Sequence, residues 1–230
     1  MPNTAAQLAL CPDASTAHQI VVERPVVDAA KLSSTMYRAV FQSLDGPMGV
    51  KPADMIAALG ALAGYSARWM VIRQIANGQI ENDFVVPKGC NMPFVSTSNH
   101  VNQMITDLTR DSFAGVLTNS MMAAGAGWLP NMNPDVNHNF IDINGPEFPD
   151  YSVHKQYWPQ LPPQALLLMM WESQARILAH TAGAEDVALH AYALAITRTA
   201  TDYKEDLPMD RAGQIALETA IAMAKLKYAF

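Results

Sequence analysis

From Pro25 onward, apolar positions recur mostly at helical spacing, and turn-forming residues mark where each run stops. Val27, Ala30, Met36, Ala39, Val40 and Leu44 form the first such stripe. It begins at Pro25 and ends at Asp45-Gly46-Pro47. Pro52 and Asp54 open a second run of about 25 residues that Asn77-Gly78 closes, a Pro and an acid both suiting the first turn of a helix. Its first half is apolar or small on nearly every side, so it reads as a buried core helix. Gly60 and Gly64, four apart, lower helix propensity but let a neighbouring helix come close. A third stripe, Val101, Ile105, Leu108, Val116 and Leu117, follows a cap at Thr97 or Ser98 and predicts one helix reaching about Gly125. Three more helices are expected over 163–181, 184–203 and 208–228, and their short links suggest antiparallel neighbours.

Two stretches break the helical period. Phe84–Val86 and Phe94-Val95 are β-like patches split by Pro87, Gly89 and Pro93, which allows at most a minor ribbon near 84–95, with Ile20–Val22 as a further pairing strand. Residues 126–161 are dense in Asn, Asp, Gly and Pro yet carry Trp128, Phe140, Phe148, Tyr151, Tyr157 and Trp158. That composition reads as a long irregular loop that packs by its aromatics, and loops of such length are commonly lids or binding segments. The expected architecture is all-α for the most part: about six helices in one bundle-like domain, residues 25–230, preceded by an N-terminal arm, residues 1–24.

Composition narrows the class. Half of the residues are hydrophobic and 16% are charged, enough apolar surface to order a core. A formal charge of −6, with the 15 basic residues spread from Arg24 to Lys227, argues against nucleic acid as a partner. The uncharged stretch Met55–Ala67 is shorter than the roughly 20 residues of a membrane span, so no membrane insertion is expected. No basic residue precedes Arg24, and the early apolar run Ala5–Cys11 is short, so the expected location is the cytoplasm. Cys11 and Cys90, far apart, read as two reduced thiols.

Familiar chemical signatures are missing. The sequence has no Glu-x-x-His pair of the di-iron type, no His-Glu-x-x-His, no Cys-x-x-Cys-His, no Gly-rich phosphate loop and no Gly-x-Ser-x-Gly elbow, and it indicates no particular cofactor. Asn131, Asn133, Asp135, Asn137 and Asn139 place side-chain oxygens at every second position. With Asp135 as the first ligand of a calcium loop, however, Phe140 stands where the turn needs Gly and Pro146 where a Glu should close the site. These side chains read instead as satisfying turn backbone locally.

The candidate site residues lie in the loop and on the helix after it. Glu172, Arg176 and His180 fall four apart on one helical face, which is either a solvated ion pair with a terminal cation or a polar lining turned toward the loop. Asp186 and His190 repeat that spacing on the next helix. The first functional expectation is a small-molecule-binding or regulatory protein, a homodimer, with a mainly apolar pocket covered by residues 126–161 and suited to a small apolar ligand. Trp128, Tyr157 and Trp158 would supply contact area, and His138, His154 and Arg176 a polar end. The alternative is a hydrolase-like or metal-dependent enzyme, with His138, Asp142 and His154 as candidate metal ligands and His100 or His180 as base. A third reading is an interaction module anchored at Gly60 and Gly64.

Overall fold

A computed structural model of the chain describes residues 28–47, 49–85, 96–108, 111–126, 151–181 and 183–226. Among them are seven α-helices and one 3-10 turn: α1 (Ala29–Leu44), α2 (Pro52–Ala76), α3 (Asn99–Thr106), α4 (Phe113–Ala123), the turn Lys155–Tyr157, α5 (Pro163–His180), α6 (Ala184–Asp202) and α7 (Met209–Ala224). The predominantly helical, bundle-like reading therefore holds. The expected arm, the Cys pair, Trp128, His138 and Asp142 lie outside the described residues.

Helix starts follow local chemistry. Asp28 begins α1 by accepting the Ala30 N–H at 2.8 Å, and Ser98 begins α3 by accepting the Val101 N–H at 3.2 Å. The helix count is seven instead of six because the expected third helix is broken at Asp107–Ser112. Ser112 acts as a second N-cap, accepting the Gly115 N–H at 3.0 Å, and Leu108 is 66% exposed, out of phase with the buried Val101, Ile105 and Leu117. Gly183, at φ 73°, supplies the left-handed residue that reverses the chain between α5 and α6.

The centre of the structure is α2. From Met55 to Gly64 it is buried on every side, covered by α7, α6, α5, α1 and α3. Gly60 faces Ala216 and Gly64 faces Ala220, so α2 and α7 run in the same direction with Gly-x-x-x-Gly laid against Ala-x-x-x-Ala. A Cβ on Gly64 would stand 2.7 Å from the Ala220 carbonyl carbon and nearer still to its oxygen. Only hydrogen fits there, and both glycines are used within this chain, not as an anchor for another.

Two other helices run along α2 in opposite senses. Arg73 pairs with Glu185 near the start of α6, and Ser66 lies beside Tyr192 farther along, so α6 is antiparallel to α2. Trp171 of α5 meets Tyr65 at a ring separation of 4.6 Å and Trp69 at 6.5 Å, and the chain just before α5 is bonded to Asp54, so α5 is parallel to α2. The C-terminal helices thus alternate in direction as their short links require, but α5 and α7 pack chiefly on α2. Of the apolar run opening α5, Leu166, Leu167 and Met170 are buried, whereas Leu168 and Met169 are more than half exposed.

α2 is long and apolar enough to cross a membrane by length and composition, although 83% of its apolar window is covered by other parts of the protein. The ribbon near 84–95 is represented among the described residues by one antiparallel bridge, Val85 with Thr97, at 2.8 and 2.9 Å. That bridge is tied inward: Ser96 N–H donates to the Lys225 carbonyl at 3.0 Å. The buried Arg68 guanidinium donates to the Ser96 carbonyl at 3.1 Å, its hydroxyl at 2.8 Å and the Ala224 carbonyl at 3.3 Å. A cation from α2 therefore serves the carbonyl end of α7.

Candidate functional site

The described end of the long loop is a strap fastened at several points. Tyr151 is buried, and its hydroxyl lies 2.8 Å from Thr219 Oγ1 on α7; burial pushes its phenol up, helped by the carboxylates of Glu218 and Asp54 and opposed by the Thr219 bond. Glu218 accepts the Ser152 N–H at 3.0 Å and also binds the Ser152 hydroxyl. Farther on, Asp54 accepts the N–H groups of Gln160 at 2.6 Å and Leu161 at 3.0 Å, spending its carboxylate on the strap. Trp158 closes the segment on itself: its indole N–H donates to the Val153 carbonyl at 2.9 Å, and its ring stands edge-on to Tyr151 at 5.6 Å. The Lys155 ammonium lies 5.1 Å from the Trp158 ring.

Where this strap laps the first turn of α7, it leaves a hollow of about 570 Å³. Val153, Tyr157 and Pro208 give it apolar surface; Ser152, His154, Asp210 and Arg211 give it polar groups. His154 Nδ1 accepts the Gln156 N–H at 3.3 Å, which in the neutral ring places the proton on Nε2 as a donor. Pro208 precedes α7 and offers no side-chain cap, so the amides of that first turn are free of a side-chain acceptor. Arg211 Nε lies 3.4 Å from Asp210 Oδ2, and a terminal Arg211 nitrogen donates to Gln214 Oε1 at 3.4 Å. The hollow thus offers an imidazole, a guanidinium and a carboxylate around a small apolar wall.

Of the residues selected from sequence, His154 and Tyr157 line the hollow, and Trp158 stands behind it holding the strap in shape. The α5 stripe does not take part. Glu172 and Arg176 pair with each other on the solvated face, their side chains 79% and 71% exposed, and His180 is exposed at the end of the helix. Most of the loop under which a mainly apolar pocket is expected lies outside the described residues; the hollow beside its described end has a mixed lining. Arg211 was missed, though the sequence carries a signal: a cation in the first turn opposes the helix dipole, so helix stability does not explain its position. His100 lies 3.0 Å from Asp83 and away from the strap, and no three His, Cys, Asp or Glu gather as metal ligands among the described residues.

The fold and this hollow define the protein as an all-α, bundle-like chain with a strapped surface site. No protein-family model matches the sequence, and neither a curated protein nor a solved structure matches it significantly.

Proposed function

We propose that the protein binds a small amphipathic molecule in the hollow between the strap and α7. The observation that carries this reading is the meeting of His154 and Tyr157 with Asp210 and Arg211 around a space of about 570 Å³, within the range of about 300–1,000 Å³ common for small-molecule sites. The polar end of the ligand takes the imidazole Nε2–H, the Arg211 fork and the first-turn amides of α7. Its apolar part lies on Tyr157, Val153 and Pro208. A regulatory role is consistent with this arrangement, because the strap that forms one wall is fastened to α7 and α2, and a ligand held between strap and helix stabilises both.

The test is native mass spectrometry of the purified protein to capture the retained ligand, followed by titration of that ligand into the wild type and the His154→Ala and Arg211→Ala variants. Each variant is expected to weaken binding about tenfold or more and to move the thermal midpoint little, since both side chains are solvated. Binding unchanged in both variants defeats the proposal, as does purified protein without any retained molecule together with no midpoint shift across a small-molecule panel.

A further inference from the structure

A second cleft, of about 480 Å³, opens at the far end of α2, away from the strap. Its lining is mainly polar, with Gln74, Asn77 and Gln79 among it, and Met70, Met104 and Leu189 from α2, α3 and α6 give it an apolar patch. Beside that patch stand charges of both signs. Arg73 is held in place by its ion pair with Glu185 and by stacking on Trp69, whose ring lies 4.8 Å from the guanidinium carbon. Glu185 engages one terminal nitrogen, and a guanidinium carries five N–H donors, so others are directed to solvent or to a ligand. His190 adds a second nitrogen donor. Asp111, in the connection between α3 and α4, has no ion-pair partner among the described residues.

An apolar patch beside one guanidinium, Arg73, and two carboxylates, Glu185 engaged with Arg73 and Asp111 not, matches a zwitterion that carries an apolar side chain. We propose that this cleft binds a free α-amino acid with an apolar side chain: its carboxylate on Arg73 and His190, its ammonium on Asp111, its side chain on the methionines. Unbranched thioethers adapt to side chains of different shape, so Leu, Met and Phe all fit the class. The two charged ends supply the selectivity, because each charge-assisted hydrogen bond requires its own partner. This site shares no residue with the hollow beside the strap, and its success or failure is read separately.

The experiment is isothermal titration of the full-length protein with L-leucine, and with two analogues that each lack one charge, N-acetyl-L-leucine and isoamylamine. Saturable binding of leucine is expected, with each analogue weaker by about tenfold or more. Asp111→Asn is expected to reduce leucine affinity by a similar factor while leaving the weaker N-acetyl-leucine unchanged; Asp111 is exposed, and a thermal melt of the variant checks that it folds. Leucine is also expected to shift the methyl resonances of Met70 and Met104 in a methionine-methyl spectrum. No saturable heat with leucine, methionine or phenylalanine overturns the proposal, as does equal binding of leucine and both analogues. Leucine binding that Asp111→Asn does not alter overturns it as well.

Discussion

The α2–α7 seam and the strap over residues 151–161 are both attached to the same two helices, yet they are held by opposite means. The seam is steric: Gly60 and Gly64 admit the backbone of Ala216 and Ala220 where no side chain fits. The strap buries Tyr151 and Val153 but is otherwise fastened by single polar links, Asp54 to two backbone amides, Glu218 to Ser152 and Thr219 to Tyr151. A packed seam fails as a whole when one atom too many is inserted. A polar attachment loosens link by link, each worth about 0.5–1.5 kcal/mol, more where a charged group is involved. The difference places adaptable surface at the strap and rigidity in the helices beneath it, which suits a binding wall on a fixed scaffold.

The largest effect that sharpens this contrast comes from Gly64→Val. The new side chain would force the α2 and α7 backbones apart, and a loss of about 3 kcal/mol is expected from the urea midpoint. A variant within about 1 kcal/mol of wild type breaks the comparison, since it would mean the seam gives way cheaply.

Asp54→Ala removes the acceptor of two strap amides and is expected to cost about 1–3 kcal/mol. Hydrogen exchange separates local from global loss: the Gln160 and Leu161 amides should exchange faster while the amides along α2 and α7 keep their protection. Uniform loss across all of them would show that the strap is part of the core and not an attachment to it.

A smaller effect tests the same rule at a second polar attachment, Asp83, which receives the Asn99 N–H at 2.7 Å and the His100 N–H at 3.2 Å at the start of α3. Burial pushes the Asp83 carboxyl up, but hydrogen bonds from Ser98, the His100 ring and the His100 and Asn99 amides outweigh it and hold the group below its ordinary value. A carboxyl lowered in the folded state contributes stability that is complete above its unfolded pKa and is lost as pH falls through the folded one. Asp83→Asn is therefore expected to remove under about 1 kcal/mol at neutral pH and to flatten that part of the acid limb. An unchanged acid limb would show that these bonds contribute nothing to folding.

How much of this was legible beforehand differs by element. α2 was readable to the residue because Pro52 and Asn77 bracket it, and α5 to α7 because Pro163, Gly183 and Pro208 stand at their starts. The break between α3 and α4 was not, because Leu108 continues the apolar stripe in sequence while standing 66% exposed in space. Ser112 was the available signal, a cap inside an apparently unbroken run. In the site, His154 and Tyr157 were visible as loop residues with chemistry, whereas Glu172, Arg176 and His180 shared a helical face that proved to be the solvated one.

By itself the sequence determined the local matters: which stretches coil, where they start, and that α2 is apolar around its whole circumference and must be enclosed. Those follow from side-chain period, caps and breakers acting within a few residues of one another. Tertiary structure alone decided that α7 lies parallel against Gly60 and Gly64, that Asp54 fastens a segment more than a hundred residues away, and that His154 shares a hollow with Arg211. Such meetings depend on how closely two backbones can approach and which polar groups then find partners, quantities fixed by the packing of distant elements and not by the spacing of residues along the chain.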